Sequence, residues 1–207
     1  MRLANSMELT AFDGQRFWFD PGALCLEFLL TGGEGELARW ERLHRPDDLA
    51  DWISRSRAGI TGPCAVTADE LAAARRLRAA VQRLAVRAAA GSRAFPEADL
   101  AALRTAAAPS PALPPAPFLV PGLERAWASP VTGSQFVSAV ARDAIELFGG
   151  PHLDRVRMCA GEECYLLFFD ASRPATRRWC SMERCGNRSK LRTRRDRAPY
   201  PRATAPE

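Results

Sequence analysis

Four cysteines near the C-terminus have the types and spacing that suit a metal site. Cys159 and Cys164 form one close pair, Cys180 and Cys185 form a second, and fifteen residues separate the pairs. Each pair can occupy a tight turn and present two thiolates to one ion, which is typical of structural zinc. Four thiolates leave no position for water, so the pattern predicts one structural Zn²⁺ and argues against zinc catalysis.

Other interpretations of these cysteines are weaker. Four unrelated cysteines rarely show paired spacing, and neither pair has the Cys-x-x-Cys form of redox sites. His152 could replace a ligand, but the four-cysteine set is already complete. Cys25 lies in an apolar run, where a cysteine usually acts as a small buried hydrophobe. His44 has no neighbouring ligand pattern.

Positive charge is concentrated around the second cysteine pair. Residues 1–154 contain 16 arginines and 18 acidic residues, whereas residues 155–207 contain 12 arginines, one lysine and 6 acidic residues. A basic segment attached to a slightly acidic one suggests a polyanionic partner. Arginines spread around a helix point outward, and each guanidinium can bind a phosphate through two hydrogen bonds.

These observations predict nucleic-acid contact and do not distinguish DNA from RNA. Asn187 could reach a base edge or cap a helix. The candidate contact residues are Arg177, Arg178, Asn187, Arg188, Lys190, Arg192, Arg194 and Arg195. The alternative is a protein-interaction module, in which the zinc is only a structural clip and the arginines bind an acidic protein surface or the N-terminal domain.

The elements around the cysteines follow from local sequence. The apolar run 165–169 predicts a strand directly after the first pair, with 156–158 as its hairpin partner. Residues 187–197 are compatible with a helix directly after the second pair. A first pair on strands and a second pair at a helix start resembles a treble-clef or zinc-ribbon arrangement. Residues 187–197 would place Arg188, Arg192 and Arg195 on one face, and Lys190, Arg194 and Arg197 on another.

The preceding 150 residues predict a mainly helical domain. Phe12–Phe19 predicts a hairpin that turns at Asp13-Gly14, and Ala23–Leu30 predicts a buried strand or helix. Capping and periodicity predict helices at about 46–57, with Asp47 or Asp48 as the cap, and at 67–90, 96–107 and 133–148. Thr67 and Glu70 predict a capping box at the start of the second of these helices, and its expected inward face is Leu71, Leu77, Val81, Leu84 and Ala88. Six prolines in 109–121 predict an extended linker without secondary structure.

Composition excludes several classes of protein. No apolar run approaches the length of a membrane span, and no secretory signal is evident, so we expect a cytoplasmic protein with no membrane partner. Glu27 and the pair Asp47-Asp48 could be catalytic carboxylates, but no phosphate loop, HExxH or GxSxG motif occurs. We therefore expect no enzyme and assign no catalytic residue.

Several short sequence motifs in the C-terminal part also resemble a known family. Cys159-Ala-Gly-Glu-Glu-Cys164, Leu167-Phe-Phe-Asp-Ala-Ser-Arg173, Arg177-Arg-Trp-Cys-Ser-Met182 and Cys185-Gly-Asn-Arg188 are similar in order to the CGNR zinc finger. In that family the finger follows an ABATE domain, and members are proposed to be stress-induced transcription regulators. Leu24–Leu29 is similar to an early segment of that domain, although Leu30-Thr31 stands where relatives often have Asn-Thr.

We therefore expect an α+β protein in two parts: a mainly helical ABATE-like domain with a short β element at 1–150, and a small four-cysteine zinc domain at 151–207. The resemblance implies a bacterial regulator that contacts DNA through the zinc domain. The N-terminal domain could sense a small ligand or a stress signal. The sequence leaves the oligomeric state open, a homodimer included.

Overall fold

The computed structural model describes residues 6–108, 114–122 and 124–196. Its helices are α1 (Leu24–Phe28), α2 (Pro46–Arg55), α3 (Ala68–Ala89), α4 (Glu97–Ala107), α5 (Gly133–Gly149) and α6 (Asn187–Asp196). Its strands are β1 (Met7–Thr10), β2 (Arg16–Phe19), β3 (Cys64–Ala65), β4 (Pro117–Val120), β5 (Glu124–Trp127), β6 (Val131–Thr132), β7 (Val156–Met158) and β8 (Leu167–Phe169). Short 3₁₀ turns follow α1, at Leu29–Thr31 and Gly35–Trp40, and precede β7, at Leu153–Arg155. The α+β class is confirmed.

Helices α3, α4 and α5 pack on one another and, with α1, form the main hydrophobic core. The predicted inward face of α3 is buried: Leu71, Leu77, Val81, Leu84 and Ala88. The run 24–30, which periodicity could not assign, is a helix that lies between α3 and α5. A five-residue helix is too short to show a 3.6-residue period, and its residues from Cys25 to Phe28 are all buried.

Helix α3 starts at the predicted capping box. Thr67 Oγ1 accepts the N–H of Glu70, and the Glu70 carboxylate accepts the N–H of Thr67. The other oxygen of the same carboxylate accepts the N–H of Ser134, in the first turn of α5. Burial alone would raise the pKa of Glu70, but these hydrogen bonds outweigh it and hold the pKa below its ordinary value of 4.5. One carboxylate therefore caps two core helices.

Helix α2 matches the predicted segment, with its cap in a different arrangement. The N-cap position is Arg45, and Pro46 is the first helical residue, where its missing N–H costs nothing. Asp48 lies inside the helix and accepts the N–H groups of His44 and Arg45 at 2.8 and 2.7 Å. Asp48 is thus the acidic cap that the sequence suggested, while Asp47 is exposed.

In the described part of the chain, four two-stranded sheets accompany the helices. The hairpin prediction is confirmed at its turn, but β1 begins earlier, at Met7, and pairs Met7 with Phe19. The linker prediction is wrong for Pro117–Val120, which forms β4 against β5. Proline is tolerated there because it is the first residue of a strand that pairs on one side. The linker prediction for residues 109–113 lies outside the described residues.

Within the described ranges, no helix is both long enough and apolar enough to cross a bilayer.

The double cap predicts an unequal effect of two substitutions. Glu70→Ala should lower the free energy of unfolding by about 1–2 kcal/mol at pH 7, more than Thr67→Ala, because Thr67 caps only α3. A lowered folded-state pKa stabilises the fold above pH 4.5, and that contribution is lost as pH falls through the folded-state pKa. The gap between wild type and Glu70→Ala should therefore shrink in acid.

Urea denaturation of the three proteins across a pH series measures both effects. Equal losses for the two variants, or a gap that widens below pH 4.5, would contradict the double cap.

Candidate metal centre and basic surface

The first cysteine pair is held by the β7–β8 hairpin. Cys159 directly follows β7, and its N–H donates to the carbonyl of Leu166 at 2.9 Å, just before β8. The predicted hairpin is confirmed, with β8 two residues shorter than the apolar run suggested. The turn between the strands returns the chain so that Cys164 faces Cys159.

The second pair lies at the start of α6. Ser181 caps a single wide turn, Met182–Gly186, by accepting the N–H of Glu183. This turn carries Cys185 and continues directly into α6, as the sequence predicted. Cys180 directly precedes Ser181. The thiols of Cys180 and Cys185 both lie beside those of the first pair.

The four thiols converge on one point. Their Sγ atoms all lie within 4.8 Å of one another, and all four residues are buried. The Cys164–Cys180 and Cys180–Cys185 sulfur distances are 3.9 and 3.5 Å. A tetrahedron of thiolates at the Zn–S distance has edges of about 3.8 Å, whereas a disulfide has sulfurs about 2.05 Å apart. The spacing therefore fits one Zn²⁺ and no disulfide.

Backbone groups around the thiols also fit a metal. Cys159 Sγ accepts N–H groups from Gly161 and Cys180 at 3.4 and 3.2 Å. Hydrogen bonds from Cys164 and Cys180, helped by these N–H groups, hold the pKa of the Cys159 thiol well below its usual range. A Cβ at Gly161 would lie 2.7 Å from Cys185 Sγ, so only glycine leaves the cage open. Such contacts orient and stabilise thiolate ligands.

Comparison with protein families agrees with this geometry. A family model named ABATE and described as "Putative stress-induced transcription regulator" matches residues 22–151. A second, described as "CGNR zinc finger", matches residues 155–198 and so contains the whole four-cysteine site.

The chain belongs to the ABATE family and carries a CGNR zinc finger. A search of curated proteins finds no significant match. The four-cysteine cluster of the finger, formed by Cys159, Cys164, Cys180 and Cys185, is consistent with a single zinc ion.

The N-terminal hairpin covers the zinc site, although it precedes both matched regions. Phe17 and Phe19 of β2 pack with Phe168 and the four cysteines in a second hydrophobic cluster. In β2 buried and exposed residues alternate, which places both phenylalanines on one face. The sequence predicted a hairpin here, but no local signal shows that one of its faces meets a segment about 150 residues away.

Arg177 is a structural residue of the CGNR finger. Its guanidinium donates to the carbonyls of Trp179, Cys180 and Asp20 at 3.1, 2.8 and 3.0 Å. It also lies over the Phe168 ring, 4.1 Å from the ring centre. The sequence assigned Arg177 to nucleic-acid contact, and the structure corrects this assignment because carbonyls already occupy the guanidinium.

The remaining candidate residues divide between two faces of α6. Arg188 forms an ion pair with Asp13 of the N-terminal hairpin, and Arg192 forms one with Glu162 of the first cysteine pair's turn. Lys190 and Arg194 lie on the other face, beside Arg178. Asn187 and Arg195 are exposed at the two ends of the helix. The predicted division of faces is seen for Arg188 and Arg192 on one side and Lys190 and Arg194 on the other, while Arg197 lies outside the described residues.

The candidate carboxylates have structural contacts. Glu27 is buried and accepts the backbone N–H and the Nε of Arg57, each at 2.7 Å. Burial raises the pKa of Glu27, although Arg57 opposes that shift. Arg57 also donates to Asp20 at 2.5 Å, so this group ties the end of β2 to α1 and to the segment after α2. His152 is exposed and is not part of the cysteine cluster.

The metal site predicts how cysteine variants differ. Purified protein should contain one zinc per chain, and Cys180→Ser should lose it because three thiolates leave the ion open to water. Cys64→Ser is the matched control and should keep the zinc, since Cys64 lies in β3, outside the cluster. Elemental analysis and native mass spectrometry measure both. Full zinc content in Cys180→Ser would contradict the ligand set.

Adjacent arginines should behave differently. Arg177→Met should lower the free energy of unfolding by about 2–3 kcal/mol, because three carbonyls lose a charged donor. Arg178→Met should change it by less than about 0.5 kcal/mol, since Arg178 is exposed. Chemical denaturation of the zinc-loaded proteins measures the pair. A larger loss for Arg178 would contradict the assignment of Arg177 as the structural residue.

Proposed function

We propose that this protein is a DNA-binding transcription regulator whose zinc ion fixes the position of α6. The single observation that carries the proposal is an open groove beside the zinc site. Its lining combines three cations with small polar groups and contains no carboxylate among the described residues: Arg178, Trp179, Gly186, Ser189, Lys190, Thr193 and Arg194.

The groove has the chemistry of a phosphate site. Arg178, Lys190 and Arg194 supply positive charge, and the Arg178 guanidinium lies 5.1 Å from the centre of the Trp179 ring. Stacking on the indole holds a planar donor in place without using its hydrogen bonds. Small residues at Gly186 and Ser189 let a backbone approach the helix surface closely. These features support phosphate contact and do not specify a base sequence.

Two of the candidate arginines lie on the opposite face of α6 and already have acidic partners. Arg188 and Arg192 are engaged with carboxylates, so they hold the helix against the rest of the chain. We therefore narrow the proposed contact set to Arg178, Lys190 and Arg194, with Asn187 and Arg195 as exposed neighbours. The interaction-module alternative accounts for the two ion-paired arginines, which do bind acidic side chains. In that alternative the groove binds an acidic protein surface instead of phosphates, so the two proposals differ in the partner of the groove.

The proposal also includes a partner for the groove and a role for the N-terminal region. A duplex is the proposed partner, the ABATE region is the proposed sensor, and no catalytic step is assigned. The family description, which refers to stress-induced transcription regulation, supports this direction.

A salt titration with matched variants tests the DNA contact. Fluorescence anisotropy should show affinity for a labelled duplex that falls steeply as salt rises, because bound phosphates release counterions. Replacing Arg178, Lys190 and Arg194 by Ala should flatten the slope of log affinity against log salt by about 2–3.

The control variant replaces Arg188 and Arg192 by Ala, which removes two charges from the other face. It should keep most of the slope when its zinc content and fold are intact. A flat salt response in wild type, or equal loss in both variants, would contradict phosphate contact in the groove. Tight binding of polyglutamate with no binding of duplex would favour the interaction-module alternative.

A further inference from the structure

A cavity of about 390 Å³ lies between three parts of the chain. The N-terminal hairpin forms one wall, the segment that follows α1 forms the second, and the CGNR finger forms the third. This volume is near the lower end of the range for small-molecule sites, which often lie between structural units. The cavity is on the far side of α6 from the proposed DNA groove.

The inner wall is apolar. Leu9 and Phe17 come from the hairpin, Leu29 and Leu37 from the segment after α1, and Leu166 from the finger. Such a surface favours the body of an organic molecule over an inorganic ion.

Aromatic side chains surround the entrance. Phe12 is 66% exposed, and its ring lies 4.2 Å from the ring of Trp40. Tyr165, from the finger, lines the same cavity and is 40% exposed. Large aromatic rings at the solvent edge of a small cavity can cover a bound molecule and exclude water from it.

Arg184 contributes a polar group to this wall. Arg184 Nε is buried from solvent and has no hydrogen-bond acceptor among the described residues. The guanidinium lies over Phe17, 5.0 Å from the ring centre, and it lines the cavity. A buried charged donor without an acceptor is unfavourable, so the position suits an anionic group from outside the chain.

Charges at the rim favour an anion as well. Asp13 and Glu162 are already ion-paired with Arg188 and Arg192. Among the described lining residues, Arg42 and Arg184 have no carboxylate within ion-pair distance. Glu163 is the single acidic residue of this described lining that has no ion pair, so two unpaired positive charges face one unpaired negative charge. The apolar wall and this positive end together define an amphipathic site.

We propose that the cavity binds a small organic acid, with its apolar body against Leu9, Phe17 and Leu37 and its anionic head on Arg184. Arg184 belongs to the same turn as Cys185 and Gly186, so a bound head group contacts the segment that positions α6. That the bound acid acts as an effector rests on the proposed sensing function of the protein. Ligand binding itself does not depend on DNA.

Two fluorescent probes with one aromatic body test the site without DNA. The anionic probe is 1-anilinonaphthalene-8-sulfonate, and its neutral counterpart is N-phenyl-1-naphthylamine. Zinc-loaded protein should bind the anion at one saturable site, at least about tenfold more tightly than the neutral probe, because a charged hydrogen bond adds that much. Octanoate should displace the anion, and octanol should do so less well.

Variants of the full-length protein distinguish the contribution of the Arg184 charge to probe binding from that of the apolar wall. Arg184→Gln should reduce affinity for the anionic probe about tenfold and leave the neutral probe unchanged, with zinc content measured alongside. Leu37→Trp fills the cavity and should weaken both probes. Leu119→Ser is the control, because Leu119 is 68% exposed on β4, outside the cavity lining.

Three results would overturn the proposal: equal affinity for the two probes in wild type, unchanged binding in Leu37→Trp, or loss of binding in Leu119→Ser. Each of these is independent of the salt titration with DNA. A failure of the ligand site is therefore distinguishable from a failure of the DNA groove.

Discussion

The convergence of four sulfur atoms is the constraint on which the C-terminal part of the structure depends. Strands β7 and β8 have only three residues each, and the chain between Leu167–Phe169 and the second cysteine pair has no regular element. Secondary structure alone cannot hold such a segment in place. A metal bound by two distant turns fixes both of them, and through Cys185 it fixes the turn that leads into α6.

The finger is joined to the helical region by more than the metal. Asp20 accepts Arg57 through its carboxylate and Arg177 through its carbonyl, so one residue links the helical core and the finger. Phe169 donates to Pro21 at 2.8 Å, and a Cβ at Gly22 would lie 2.9 Å from the Phe169 carbonyl. The family matches meet between residues 151 and 155, but the side-chain packing crosses that boundary.

Local signals predicted the zinc ligands, the capping box of α3 and the helix faces, because spacing, capping and periodicity act within a few residues. They could not predict that Phe17 and Phe19 cover the zinc site, since that contact joins opposite ends of the chain. Charge counts predicted a basic surface but treated its arginines alike. Only the structure separates Arg177, held by carbonyls, from Arg194, which lines the groove.

Hydrogen exchange with and without zinc tests most directly whether the metal holds this assembly together. After chelation, amides of β1 and β2 should lose protection along with those of the finger, because the buried face of the hairpin packs on the cysteines. Amides in the middle of α3 and α5 should stay protected by their own core. A hairpin that remains protected in metal-free protein would contradict the account.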